Sequence, residues 1–334
     1  MDGRISLLRV LACFMVVLLH VSGENFNSFG AKWWAANFFD SLTRACVPIF
    51  FMIAGATLLS KNETLAIFFE KRFLRIIPAL LFWSAFYLWW LWHNGVAVGN
   101  WAAAILSGPT MFHLWYFYAI IGLYLFVPVL RKFYQHSTRT EQAWFIAAWF
   151  VVSSVYPTMY SLSHDPSCGY LRLGLLADTY HLSYFGGYIG YLILGAFLAD
   201  GKGSVKNGAA IFMIASIGTM AGTYLISRHF GAPCEFFYLY QAPLVVMAAC
   251  GLFLAFMGMQ NGAPSKVVAA FSDCSLGIYC IHVFIIDPVF RRAGISATVG
   301  NPWITSLTTA MGVFVVSFGV IYLARKIKPF QYVT

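Results

Sequence analysis

The sequence predicts an all-α integral membrane protein: one domain over residues 1–334, a bundle of about ten transmembrane helices with both termini in the cytoplasm. Three observations predict it: a shortage of charge, a series of apolar runs of bilayer length, and an uneven distribution of Lys and Arg. Of 334 residues, 60% are hydrophobic, 18% aromatic and only 10% charged, against about 25% charged in a soluble domain. Mean hydropathy is +0.74. Taken along alternate loops, fifteen Lys and Arg fall on one side. Six fall on the other: Lys32, Arg44, Arg172, Arg228, Arg291 and Arg292. The majority side is the cytoplasmic one. The net charge of +9 is therefore mostly a topology signal and needs no nucleic-acid partner.

The first run, 5–22, has no small-residue cleavage site and reads as a retained helix. The second is placed at 43–60 and the third at 73–93, where Pro78 is positioned to kink the helix. The segment 100–110 is too short to span and should lie in the interface or fold back. The fourth to eighth runs follow at 113–131, 142–158, 182–199, 207–228 and 236–259. The ninth, 269–287, has Ser272 and Asp273 at its inner end, where they read as an N-cap. The tenth is 303–325, and the longest outer loop is 159–181.

Ionisable groups inside a bilayer are costly and tend to mark a pathway or a site. In "LRVLACFMVVLLHVSG" (8–23), Arg9 and His20 are eleven steps apart. Eleven steps come to roughly 1100°, about 20° past three full turns, so both side chains share one helix face roughly 16 Å apart. Each alone reads as a helix-end marker, but an interface does not require the common azimuth, so a functional reading is favoured for the pair. Glu24 lies at i+4 from His20 and is placed to hold the imidazole tautomer if the helix continues. Arg72 and Arg75 neighbour each other at i and i+3 and suit bidentate phosphate binding; a positive-inside flank explains them equally well. His113, Trp115 and Tyr116 open the fourth span, either as an interfacial aromatic belt or as faces on which a sugar stacks. His282 reads as a hydrogen-bonded structural residue.

Seven cysteines are present and no C-x-x-C occurs, which argues against a zinc or redox motif. Five fall in apolar runs, while Cys168 and Cys234 fall in outer loops. Those two are either bridged or unrelated thiols too far apart to bond. Walker A, G-x-G-x-x-G, G-x-S-x-G and H-E-x-x-H sequences are absent, and carboxylates are too few for a typical metal cage.

Four motifs, Arg9-x10-His20 in the first span, "KRFLRIIP" opening the third, "HLWYF" opening the fourth and "SLGIYCIH" in the ninth, together resemble the membrane-bound acyltransferase 3 family. These are ten-helix bacterial proteins that modify cell-surface sugars with acyl groups, usually acetyl. The length is similar to that of the small O-acetyltransferases of O-antigen and enterobacterial common antigen, most of all the latter. The resemblance implies His20 as catalytic base, and Arg9, Arg72 and Arg75 as acyl-CoA-binding groups. It also implies acetyl transfer from cytoplasmic acetyl-CoA to a hydroxyl of a lipid-linked or surface sugar, in the bacterial inner membrane and without a metal. Val10 stands where the family often has Gly after the Arg, a difference in helix packing only. A transporter or flippase of a lipid-linked sugar, or a transferase of succinyl or another acyl group, remains open at this point.

Overall fold

A computed structural model describes residues 2–27, 29–164, 168, 171 and 187–334. Among these, all regular structure is helical. Nine helical stretches are long and apolar enough to cross a membrane: Gly3–Asn25, Trp33–Leu58, Leu65–His93, Phe112–His136, Arg139–His164, Val205–Phe230, Phe236–Met257, Lys266–Arg291 and Pro302–Ala324. They correspond to nine of the ten expected runs. The remaining expectation, 182–199, has residues 182–186 outside the described set, as is Arg172 of the charge count. Its described part is a shorter apolar helix, Ile189–Ala199.

The second span begins well before position 43. Helices α2 (Trp33–Thr43) and α3 (Cys46–Leu58) follow each other across a turn at Arg44 and Ala45. Asn37 and Asp40 lower the hydropathy of "WWAANFFDSLT" and hide this helix from an apolar scan. Their polarity is satisfied internally. Asp40 accepts from Ser22 Oγ at 2.7 Å and from Arg44 Nη2 at 3.2 Å, and Asn37 Oδ1 accepts from the Tyr238 hydroxyl. The segment 100–110 holds only a short helix, Trp101–Ser107.

Close helix contact depends on small residues. A Cβ on Gly55 would fall 1.9 Å from the Leu192 carbonyl oxygen, and one on Gly195 2.0 Å from that of Met52. The backbones of α3 and Ile189–Ala199 therefore touch, as small residues allow between helices in lipid.

Loops alternate between two ends of the bundle, as the charge count assigns them. At the near end, where the chain begins, Gly3 N donates to Gly262 O, Arg4 Nη1 to Met257 O, Arg131 Nε to Leu58 O and Arg139 Nη1 to Phe197 O. At the far end Asn25 Nδ2 donates to Ala297 O and Arg292 pairs with Asn94. Cys168 and Cys234 are joined there by a disulfide, Cα to Cα 4.9 Å.

The core of the bundle sets two helices side by side. Helix α1 (Gly3–Ser22) packs along Lys266–Phe284. Arg9 Nη1 donates to Ser272 Oγ at 3.2 Å, Cys13 Sγ to Ser275 O at 3.6 Å, and the rings of His20 and His282 lie 5.1 Å apart. The contacts advance together along both chains, so the two helices run parallel from the near end to the far end. The expectation that Ser272 and Asp273 cap the second helix is corrected. That helix starts two turns earlier, at a cap formed by Ser265 Oγ accepting from Val268 N, and Ser272 is free to take Arg9.

Candidate active site

The far half of the seam holds three imidazoles. His20, from α1, stacks on His282 with ring centroids 5.1 Å apart and planes 27° from parallel. His113, at the entrance to the helix Trp115–His136, meets His282 edge-on at 5.1 Å. Backbone carbonyls fix two of the rings. The Tyr279 carbonyl, 2.6 Å from His282 Nδ1, can only accept, so Nδ1 carries the proton. In the same way the Cys280 carbonyl, 3.2 Å from His113 Nε2, assigns the proton of His113 to Nε2. Tyr87 donates to that same carbonyl at 2.8 Å, and the Tyr279 hydroxyl donates to the His113 carbonyl. His20 makes ring contacts but no hydrogen bond with the described residues, and it is only partly buried. Of the three it is the one that is not fully buried. Among the described residues no three His, Cys, Asp or Glu side chains are grouped to hold a metal ion.

The structure corrects the pairing expected for Glu24. The α-helix ends at Ser22 and a tighter turn, Gly23–Asn25, follows. The 100° stepping that places i+4 over i does not continue through such a turn. Glu24 Oε1 instead accepts from Arg291 Nη2 at 2.5 Å. His113, at the start of the span Phe112–His136, is 2% exposed and held between Tyr87, Tyr279 and His282.

The near half holds the arginines. Arg9 is within electrostatic reach of Arg75, Tyr116, Tyr124 and Asp273. Arg75 is exposed and forms no hydrogen bond or ion pair among the described residues. Arg72 Nη2 donates to Glu63 Oε2 at 3.2 Å, while its Nε is buried without a partner. Lys71 and Arg131 share the same carboxylate at 3.1 and 3.7 Å. Three cations thus meet one anion, and the site stays positive. Burial of Glu63 opposes ionisation, but the hydrogen bond from Lys71 and the charges of Arg72 and Lys71 outweigh it, holding its carboxyl below the ordinary value of 4.5.

Tyr116 joins the two halves. Besides its reach to Arg9, its ring lies 5.8 Å from that of Tyr279, which belongs to the histidine cluster, and stacks on Phe51 at 5.1 Å. Trp115 stacks on Tyr240 at 5.6 Å. Trp115 and Tyr116 are half-buried, and Tyr116 reaches the histidine cluster through Tyr279. One polar pair escaped the sequence reading. Arg44, one of the six outer cations of the charge count, is pinned by Asp40, lies 4.3 Å over the Tyr238 ring and is within electrostatic reach of His20. The i,i+4 spacing of "DSLTR" inside an apolar run was the available signal.

Residues 2–325 match the family described as an acyltransferase domain, acyltransferase 3. No curated protein and no solved structure matches the chain.

Proposed function

The chain belongs to the acyltransferase 3 family and is a multi-pass membrane acyltransferase; from that premise we propose that it moves an acetyl group from acetyl-CoA to a hydroxyl of a lipid-linked or surface sugar, of the enterobacterial common antigen or O-antigen type, in the bacterial inner membrane. The observation that carries this reading is the seam itself. One uninterrupted helix presents Arg9 at the near end and His20 in the far half, and Tyr116 and Tyr279 connect the two. The near end is the cytoplasmic one, by the Lys and Arg count.

Acetyl-CoA is a cytoplasmic polyanion with a long thioester arm. Its phosphates suit Arg75, with an unused guanidinium, and Arg72, with an orphaned buried Nε. Arg9 is placed further along the arm. The acceptor hydroxyl gives its proton to His20 as its oxygen forms a bond to the thioester carbonyl carbon. Arg44, whose charge reaches His20, favours the oxyanion that forms. The C–S bond then breaks, and the departing thiolate takes the proton back from His20. Trp115 and Tyr116 offer aromatic faces to the sugar, and Glu24 enters only as the partner of Arg291 at the far rim.

The test is incubation of the purified protein with radiolabelled acetyl-CoA and an extract of envelope glycolipids. Labelled acceptor together with stoichiometric CoA release is the expected outcome. Movement of the glycolipid across the bilayer without CoA release contradicts this reading and makes the protein a transporter. Labelling from succinyl-CoA in preference to acetyl-CoA changes the donor.

A further inference from the structure

His282 has no part in the proton transfer described above, yet its surroundings are incomplete. Its Nδ1 proton is committed to the Tyr279 carbonyl, which leaves Nε2 with a lone pair and no proton. That nitrogen is buried in a residue 0% exposed, and it has no hydrogen-bond partner. His113 repeats the pattern: Nε2 is committed to the Cys280 carbonyl and Nδ1 is buried without a partner. No carboxylate pairs with any of the three imidazoles among the described residues. Buried polar atoms are normally satisfied. Here two orphaned acceptors lie on rings in mutual contact, one of them stacked on the base. Both nitrogens lack a donor, so the missing group is one rich in O–H or N–H. It is not an anion, which would bring only lone pairs to meet lone pairs.

We infer that His282 Nε2 accepts a hydrogen bond from a second hydroxyl of the acceptor, next to the one that reacts at His20, so that the acceptor site selects polyols with neighbouring free hydroxyls. This rests on the acyl-transfer reading. The stack explains the division of labour. His20 and His282, with ring centroids 5.1 Å apart and planes 27° from parallel, set the two roles on neighbouring rings, the reacting hydroxyl at one and its neighbour at the other. His113 backs His282 from the edge and offers the further acceptor. In this role His282 is a positioning residue, and the proton of the reacting hydroxyl goes only to His20.

The experiment uses full-length protein in nanodiscs with radiolabelled acetyl-CoA. Acceptor probes are methyl hexopyranosides with every hydroxyl free and their monodeoxy forms. Two rates are read: transfer to the glycoside, and acetyl-CoA hydrolysis, in which water replaces the sugar. His282→Phe keeps a ring in the stack but has no acceptor. It should lower the ratio of transfer to hydrolysis by about tenfold, the factor for one hydrogen bond of ordinary strength. His282→Gln, whose amide oxygen can stand near the position of Nε2, should recover part of the ratio. With one monodeoxy glycoside the wild type and His282→Phe should converge, because the bond is already missing.

Equal losses in both rates, or an unchanged ratio, overturn the inference. So does a wild type that hydrolyses acetyl-CoA through His20 but acetylates none of the glycosides. Failure of the underlying reading looks different: a wild type that releases no CoA, with or without glycoside, removes both.

Discussion

Arg72 and Arg75 are three residues apart on one helix, yet their surroundings differ. Arg72 is held by Glu63 and has one orphaned nitrogen, while Arg75 has no partner among the described residues. Replacing Arg75 with Ala should weaken acetyl-CoA binding by about 1.5–3 kcal/mol, the range for hydrogen bonds to charged groups. Arg75→Lys should recover only part, because an ammonium lacks the planar fork. Calorimetric titration checks both, and an unchanged affinity in the Arg72→Ala, Arg75→Ala double variant reduces the pair to a topology signal. Glu63 gives a pH prediction. Its carboxyl is held below its ordinary 4.5, so the hub it forms with Lys71, Arg72 and Arg131 stabilises the fold fully above that value. The contribution is lost as pH falls through the lower, folded value. Wild type and Glu63→Gln should therefore differ in melting temperature at neutral pH and converge in acid; a difference that persists in acid contradicts the assignment. The arginine pair was legible because i,i+3 neighbours follow from the helix alone. The hub was not, because Glu63 and Arg131 approach only in the folded bundle.

Helix period explains both what the elements revealed and what they concealed. Arg9 and His20 lie on one uninterrupted helix, so counting residues was enough to place them on one face. Glu24 lies two residues beyond that helix, and the same counting failed there. Asp40 and Arg44 were hidden for a different reason: a buried pair lowers hydropathy as an exposed pair does, and only the fold shows Ser22 and Tyr238 satisfying it. His282 is buried and hydrogen-bonded, as the sequence suggests, but a lone histidine in an apolar run says nothing of the two rings brought to it by α1 and by the loop before Trp115. The far-end disulfide is the element-scale prediction. It joins residues separated by 66 positions and ties the segment at Cys168 to Cys234, whose amide donates to Ser227 Oγ at 2.9 Å. In the chain-entropy account a loop of this length contributes about 4 kcal/mol. The Cys168→Ser, Cys234→Ser double variant should melt lower than wild type, and in the native protein neither thiol should react with an alkylating reagent until it is reduced. Labelling of both cysteines without reduction excludes the bond.

At the scale of the whole molecule, the bundle divides its chemistry between two ends. The near end is cationic and open at Arg75, the far half carries three imidazoles and an aromatic wall, and two parallel helices connect them. The apolar runs and the lopsided charge count put the described loops at alternating ends, in agreement with the contacts seen at each end. The meeting of α1 with Lys266–Phe284, helices more than two hundred residues apart in sequence, was beyond any local pattern. The arrangement predicts that donor and acceptor reach the site from opposite ends and meet at His20. The most direct test uses proteoliposomes of uniform orientation, with radiolabelled acetyl-CoA confined to the side of the Lys202 loop and sugar acceptor on the other. Wild type should deliver label to the acceptor, and His20→Ala should deliver none while binding acetyl-CoA with unchanged affinity. Transfer by His20→Ala at a rate near that of wild type would contradict the account.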